Sequence, residues 1–396
     1  MFKRLLAASL VVAATLGITT TTQAADSVKI GFSIPKTGLF APAGPSQLNA
    51  YLVWQDLVNA KGGLDIGGKG RRKVEFVHYD DKSDPAQAVK IYEKLITNDK
   101  VDLVMAPWGT QHHFAIAPVV ERHKFPLVGN TAASVALRKI KPGYLWFTTP
   151  MMPDNLAKEM TAMLKSRGVK SVAILYNLLQ FASENVKFLK PALAKAGIKV
   201  KYEAKYPPDI KDMTAMLTRV KGENPDAVLV HSYPGDSILY MNQAREIGIN
   251  AKTQYVMVGP AIGFFRGMFK SNLDGIITMG SWTPGMKGTY GAKEFYDAYK
   301  KKYKGHEPDY LDSVEVYVSA QILEQAIAKA GLDREKIRKA IQTMTFKTIY
   351  GDVKFKGVQN ISTPAGFTQI QKGNIEVVWP KQRATSPIVD KGAWAK

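Results

Sequence analysis

Short apolar segments alternate with longer amphipathic segments along most of this chain, and this alternation constrains its fold more than any other feature. Residues 28–34 are typical of a strand and residues 46–60 of a helix, and the same order recurs at residues 73–78 and 85–98. Strands that alternate with helices at this spacing form right-handed βαβ units, which build a parallel sheet. The pattern restarts after the first third of the chain. It therefore predicts an α/β protein with two doubly wound lobes in series.

Two of the predicted strands, at residues 101–106 and 125–128, end in small loops that carry hydroxyl groups. The loop residues are Trp108, Gly109 and Thr110 after the first strand, and Thr131, Ala132 and Ala133 after the second. The first loop opens directly into a helical pattern, so free N–H groups at the helix start face the space above the sheet. Open α/β sheets bind ligands at the carboxyl ends of their strands. We interpret the loops as two halves of one anion site; the alternative is that both are ordinary turns with capping hydroxyls.

The first 25 residues have the composition of a secretory signal peptide. Lys3 and Arg4 precede an apolar run at residues 5–18, and small residues follow as far as Ala25. This run is shorter than the roughly 20 residues that a membrane span needs. The chain has no cysteine, which excludes disulfides and a lipid-modified cysteine. We expect cleavage near Ala24 or Ala25 and export of the mature protein.

The chain is basic, with 54 Lys and Arg against 34 Asp and Glu. Its basic residues are scattered, the densest cluster being YKKKYK at residues 299–304, and no nucleic-acid-binding motif accompanies them. We therefore expect the charge to steer small anions and expect no nucleic-acid partner.

The sequence offers no set of residues that requires catalysis, a metal or a cofactor. Residues 63–70 read GLDIGGKG, but a strand follows and no Ser or Thr follows the lysine, so we expect a hairpin or loop and no phosphate site. The six histidines are scattered, which argues against a metal site. Asp80 and Asp81 end a strand and Asp84 precedes a helix, so we assign them structural roles. We predict that the protein is not an enzyme and has no cofactor.

Several short sequences resemble the periplasmic leucine/isoleucine/valine-binding protein family. They are IGFSIPKTG at residues 30–38, NAKGG at 59–63, YDDKSDP at 79–85 and NQAREIG at 242–248, together with the two hydroxyl-bearing loops. The resemblance extends over nearly all of the mature chain. It implies the type I periplasmic binding fold, in which three hinge crossings join two Rossmann-like lobes.

The resemblance also sets our expected lobe boundaries. Lobe 1 comprises residues 26–148 plus 285–350, and lobe 2 comprises residues 149–284 plus 351–396. The ligand is expected in the cleft between them.

In function, the resemblance implies a receptor that delivers a small solute to the permease and ATPase of an ABC importer. It assigns the ligand carboxylate to Thr110, Thr131 and their main-chain N–H groups. The remaining implied contacts are Phe40 in the first loop and Phe181 and Tyr233 from the second lobe. We add the hypothesis that His112 or His113 meets a distal hydroxyl or carbonyl of the ligand. For each aromatic residue the alternative is plain core packing. We expect a monomer.

One departure from the family bears on the ligand. Amino-acid-binding members carry an acidic residue after a Gly-Pro pair, where it meets the ligand ammonium, but here Pro260 is followed by Ala261. Burying an ammonium without a partner costs several kcal/mol. We therefore predict an apolar or aromatic carboxylate without an α-amine. The alternative is that another acid, such as Asp236 or Asp312, supplies the charge, which makes the protein a receptor for branched-chain or other hydrophobic amino acids.

Two further classes stay open. A ligand-sensing receptor of the same fold would signal through a partner, whereas an importer receptor delivers its cargo. An exported enzyme is disfavoured because no nucleophile and base occur in a recognisable arrangement.

Overall fold

A computed structural model describes residues 27–139, 143–286 and 289–395 of the chain. The predicted signal peptide lies outside these residues. The helices are α1 (Gly44–Ala60), α2 (Pro85–Thr97), α3 (Thr110–His123), α4 (Pro153–Ser166), α5 (Gln180–Lys195), α6 (Thr214–Glu223), α7 (Pro234–Ile247), α8 (Gly263–Phe269), α9 (Ala292–Lys302), α10 (Asp312–Ala330) and α11 (Arg334–Thr343). The strands are β1 (Val28–Ile34), β2 (Leu64–Asp65), β3 (Arg71–Arg72), β4 (Val74–Asp80), β5 (Leu103–Val104), β6 (Leu127–Gly129), β7 (Leu145–Phe147), β8 (Ser171–Asn177), β9 (Lys199–Tyr206), β10 (Ala227–His231), β11 (Thr253–Val256), β12 (Ile276–Met279), β13 (Thr345–Thr348), β14 (Gly351–Lys356), β15 (Gln359–Asn360), β16 (Phe367–Gln371) and β17 (Asn374–Trp379).

Lobe 1 is built on two groups of strands. β1 lies between β4 and β5 and runs parallel to both, with Ile30 opposite Phe76 on one side and Leu103 on the other. A second sheet has the order β13-β14-β15-β7-β6, in which β6, β7 and β15 are parallel. All of β1 except Lys29 is buried, as expected of a parallel strand covered on both faces.

Lobe 2 contains one seven-stranded sheet in the order β17-β16-β12-β11-β10-β8-β9. Its five strands from β8 to β12 pair in parallel, and β16 and β17 add an antiparallel edge. Helices α4 and α5 pack together beside this sheet. The doubly wound α/β class predicted from the alternation of strands and helices is therefore confirmed.

The strand pairing bears on the lobe boundaries. β14 and β15 pair beside β7, within the lobe 1 sheet, although residues 351–396 were expected in lobe 2. β16 then pairs with β12 of lobe 2. We therefore propose that the third crossing follows Asn360 and precedes Phe367. The first two proposed crossings stay where the sequence suggested them, after β7 and after β12.

Several local expectations hold. Residues 63–70 contain β2 and the turn that joins it to β3, so a strand and not a helix follows the glycines. The Asp84 side chain accepts a hydrogen bond from the Ala86 N–H and caps α2. Asp80 accepts hydrogen bonds from the N–H groups of Lys36 and Thr37, a structural role that holds the first loop. Among the described helices, none combines the length and apolar character that a membrane crossing requires.

Candidate functional site

Hydrogen bonds join the two hydroxyl-bearing loops. The Gly109 N–H donates to Thr131 Oγ1 at 3.0 Å, and the Ala133 N–H donates to Thr110 Oγ1 at 3.2 Å. The loops follow β5 and β6, which belong to the two strand groups of lobe 1, and these hydrogen bonds bring the two strand ends together. The two threonines thus lie side by side, as the sequence led us to expect.

The start of α3 adds main-chain donors to this pair of loops. Thr110 is the first residue of α3, and the N–H groups of Thr110 and Gln111 have no acceptor among the described residues. Gly109 precedes the helix with φ of 90°, a conformation in which a side chain is strained. The loop can therefore turn sharply into the helix and direct these N–H groups, with the positive end of the helix dipole, into the cleft.

A cluster of aromatic rings closes one side of the site. The Phe40 ring centroid lies 4.9 Å from that of Trp108 and 5.6 Å from that of Tyr233. Phe40 and Trp108 belong to lobe 1, and Tyr233 precedes α7 in lobe 2, so this contact crosses the cleft. All three side chains are buried, which indicates a closed arrangement of the lobes.

A cavity lies between these elements. Its lining residues are Trp108, Gly109, Thr110, Thr131, Ala132, Ala133, Thr149, Phe181, Tyr233, Val258, Met279, Leu311, Asp312 and Glu315. Eight of the predicted site residues are among them. The other four, Phe40, His112, Pro260 and Ala261, do not line it.

The Gly-Pro segment lies behind the cavity wall. Pro260 and Ala261 form a short 3-10 turn that packs on α7, and a Cβ at Gly259 would approach Ser237 Cβ to 2.4 Å. Gly259 therefore packs closely against α7. Val258, and not the Gly-Pro segment, lines the cavity. Ala261 is buried and is not among the residues that line the cavity.

His112 is also displaced from the cavity. Its ring lies behind Phe40, with centroids 6.0 Å apart, and its Nε2 is 3.7 Å from the Asp81 carboxylate. Burial lowers the pKa of His112 and of its neighbour His113 to about 4, so both rings are neutral near neutral pH. The His113 Nδ1 lies 2.9 Å from the Gly109 carbonyl oxygen, a contact that holds the loop against α3.

Two acidic residues line the cavity. Trp108 Nε1 donates to Asp312 Oδ2 at 2.9 Å, and Thr149 Oγ1 donates to Glu315 Oε1 at 2.7 Å. They occupy the first turn of α10, three residues apart, and therefore share one helix face. Asp312 is one of the two alternative acids considered from the sequence; Asp236 is instead held by Asn177 and Tyr206.

The environment of these acids favours their neutral forms while the cavity is empty. Burial, with the nearby charge of Asp309, raises the pKa of Asp312 to about 8. Burial likewise raises the pKa of Glu315 well above its ordinary value. None of the described residues that line the cavity is basic, so no cation of the protein offsets these carboxyl groups there.

Sequence reasoning missed five lining residues, and it considered a sixth, Asp312, only as an alternative acid. Thr149, Val258 and Met279 follow or end β7, β11 and β12, so the rule that pointed to Thr110 and Thr131 also applies to them. Leu311, Asp312 and Glu315 come from the start of α10, far along the chain from Trp108. The sequence signal that could have pointed to this group is a pair of acids in the first turn of an otherwise apolar helix, since buried acids need a polar partner.

The sequence profile of periplasmic binding proteins matches residues 27–374. The chain belongs to the periplasmic binding protein family. Members of this family are solute-binding receptors and not enzymes. A relative in Brucella abortus (strain 2308), named Leu/Ile/Val-binding protein homolog 8, is 28% identical over 410 residues, which cover 96% of this chain and 98% of the relative.

Solved structures of family members show the same fold. LivJ, the branched-chain amino acid transporter substrate binding protein of Streptococcus pneumoniae, in complex with isoleucine, superposes with a TM-score of 0.80 at 24% identity, covering 90% of this chain and all of that one. A solute-binding protein from Rhodopseudomonas palustris in complex with benzoate has a TM-score of 0.77 at 18% identity, covering 94% and 98%. These likenesses confirm the type I fold with its two lobes and three crossings.

Proposed function

We propose that this periplasmic binding protein is the receptor of an ABC importer and binds a small organic carboxylate with an apolar or aromatic body. The receptor role follows from the family. The reason for proposing a carboxylate is the pair of joined threonine loops, one of which opens α3. Hydrogen bonds that hydroxyl and main-chain N–H groups donate to an anion are roughly twice as strong as hydrogen bonds between neutral groups. Trp108, Phe181 and Tyr233 supply the apolar walls.

The presence of an amine on the ligand is a separate question. Ala261 favours an amine-free acid only if the site contains no acidic side chain, and Asp312 and Glu315 remove that premise. The neutral forms of these acids are compatible with an amine-free carboxylate such as benzoate, to which they would donate hydrogen bonds. Their ionised forms are compatible with an amino acid such as the isoleucine bound by LivJ. Both classes fall within the proposed function.

The proposal includes a location and partners. A cleaved signal peptide at residues 1–25 would export the protein to the periplasm, where a membrane permease and its ATPase would receive the ligand. We further propose that the receptor acts as a monomer. A sensor of the same fold would lack the transport partners, and loss of solute uptake when the gene is deleted separates the two roles.

Native mass spectrometry of the protein purified from its own periplasm tests the ligand class. We expect a co-purified small acid that is released on unfolding. A bound sugar, metal ion or polyamine without a carboxylate would contradict the proposal.

A further inference from the structure

An ion pair outside the ligand cavity connects α8 with the loop between α9 and α10. Arg266 Nη1 on α8 lies 2.7 Å from Glu307 Oε2 in that loop. Neither residue is among those that line the ligand cavity. Their side chains are 20% and 27% exposed, so the pair is shielded from water more than an ordinary surface pair.

The loop that carries Glu307 is fixed to lobe 1 on both sides. Before the loop, the Tyr299 hydroxyl of α9 accepts a hydrogen bond from Asn49 Nδ2 of α1 at 3.3 Å. After the loop, the Ser313 hydroxyl of α10 donates to the Ser46 carbonyl oxygen of α1 at 3.0 Å. Glu307 therefore moves together with α1 when the lobes move.

Arg266 is fixed to lobe 2 by its neighbours on α8. Phe265 and Phe269 are buried, with ring centroids 5.5 Å apart. Phe265 packs against Gly259, just after β11, where an added Cβ would approach the Phe265 ring to 2.5 Å. The contact of Arg266 with Glu307 thus joins two bodies that separate when a hinged cleft opens.

Two tyrosines of lobe 1 orient Glu307 for this contact. The hydroxyls of Tyr296 and Tyr310 both donate to its carboxylate, the second at 3.1 Å. Burial raises the pKa of Glu307, but the hydrogen bonds from Tyr296 and Arg266 outweigh burial and hold this pKa below its ordinary value. The Arg266 guanidinium also lies over the Tyr310 ring, 5.5 Å from its centroid. Lobe 1 therefore presents an ionised and oriented acceptor to the cation of lobe 2.

We infer that Arg266 and Glu307 form a latch between the lobes, an ion pair that is made when the cleft closes and broken when it opens. The latch stabilises the closed form without touching the ligand. It goes beyond the proposed function, because it slows opening whatever the cavity contains. Since both side chains are partly in contact with water, salt weakens the latch.

Cross-linking across the cleft measures how often the lobes close, and it needs no ligand. The chain has no cysteine, so Ala136→Cys in lobe 1 and Lys187→Cys in lobe 2 introduce two unique thiols. Both positions are exposed, and they flank the contact of Val135 with Glu184. A short bismaleimide joins the thiols in closed molecules. The cross-linking rate of protein freed of ligand by unfolding and refolding therefore follows the closed population.

In this cysteine background we expect Glu307→Gln and Arg266→Gln each to lower the cross-linking rate about fivefold, the upper end of what a partly exposed ion pair contributes. The double variant should be no slower than either single variant, because each removes the same interaction. Adding about 1 M NaCl should slow the native latch toward the double variant and leave the double variant unchanged. Arg219→Gln removes an ion pair with Glu223 inside lobe 2 and is the matched control, with an unchanged rate.

Unchanged rates in both single variants would overturn the latch, and so would effects that add in the double variant. A native rate that does not respond to salt, or no cross-linking at all with the native latch, would also overturn it. Circular dichroism checks the fold of each variant, and Arg266→Lys, which keeps the charge, should retain most of the native rate. None of these outcomes involves the ligand, so they decide the latch separately from the proposed function.

Discussion

At the scale of single residues, Thr110 is the side chain that joins the two loops. Its hydroxyl accepts the Ala133 N–H, and its only described acceptor, the Ala133 carbonyl oxygen, lies at a long 3.4 Å. We expect Thr110→Ala to weaken binding of the co-purified ligand about tenfold or more, since a hydrogen bond to a charged group contributes roughly 1.5–3 kcal/mol. Calorimetry measures the change. Thr218→Ala, exposed on α6, is the matched control, and unchanged affinity in a folded Thr110→Ala variant would locate the carboxylate elsewhere.

Asp312 makes a prediction about stability and pH. Its pKa in the folded, empty protein is raised to about 8 from an ordinary value of 3.8, so its contribution to stability is fully present below about pH 3.8 and is lost as pH rises toward 8. Asparagine does not ionise and escapes this loss. The ligand-free Asp312→Asn variant should therefore unfold at a temperature a few degrees higher than native protein at pH 8, with the difference shrinking toward pH 4.

Thermal unfolding followed by circular dichroism at several pH values measures this difference. A variant less stable than native protein at pH 8, or a difference that grows toward pH 4, would show that Asp312 is ionised in the empty cavity.

The limits of prediction from sequence are clearest at these residues. Thr110 and Thr131 lie beside each other as expected, because each follows the carboxyl end of a strand, and that rule is local. The sequence named Asp236 and Asp312 as alternative acids but gave no means of choosing between them, and only Asp312 lines the cavity. Asp312 reaches the cavity from a helix that begins about two hundred residues beyond Trp108, and no local pattern encodes that contact.

At the scale of elements, a hydrogen bond across the cleft joins the carboxylate loop to α5. The Val135 N–H, just after this loop, donates to Glu184 Oε1 at 3.0 Å, and the other Glu184 oxygen is buried without a partner among the described residues. Glu184 lies one turn after Phe181 on α5, so the contact couples the loop of lobe 1 to a cavity wall of lobe 2.

We therefore predict that Glu184→Ala releases ligand faster, by about fivefold, because one hydrogen bond of roughly 1 kcal/mol is lost only in the closed form. Stopped-flow fluorescence, with Trp108 in the cavity wall as the reporter, measures the dissociation rate. Glu184→Gln should fall between native protein and Glu184→Ala, and Glu246→Ala is the exposed control. An unchanged rate in Glu184→Ala would mean that this contact does not hold the lobes together.

Element boundaries show what local patterns determine. The helical periodicity of α5 is clear from residue 184 onward, but the helix begins at Gln180, which places Phe181 in its first turn. The helix pattern from residue 184 onward was evident, whereas the preceding LLQF sequence is apolar enough to suit a strand end or a loop. Starting positions of helices depend on capping and on packing against the sheet, which are not visible in periodicity alone.

At the scale of the whole molecule, the alternation of strands and helices was sufficient to predict two doubly wound lobes. The least predictable part was the segment from β13 to β17, where strands follow one another without helices. Such strands can pair with either lobe, and only the assembled sheets show β15 beside β7 and β16 beside β12. The proposed third crossing lies between these two strands, and as a hinge segment it would change conformation when the lobes close.

The account depends most on a carboxylate held between the lobes by the loops of Thr110 and Thr131. A crystal structure of the protein with its co-purified ligand tests this most directly. We predict a ligand carboxylate oxygen within about 3.2 Å of Thr110 or Thr131 Oγ1 and of an N–H group at the start of α3. A ligand bound outside this cavity, or one whose carboxylate points away from both threonines, would contradict the account.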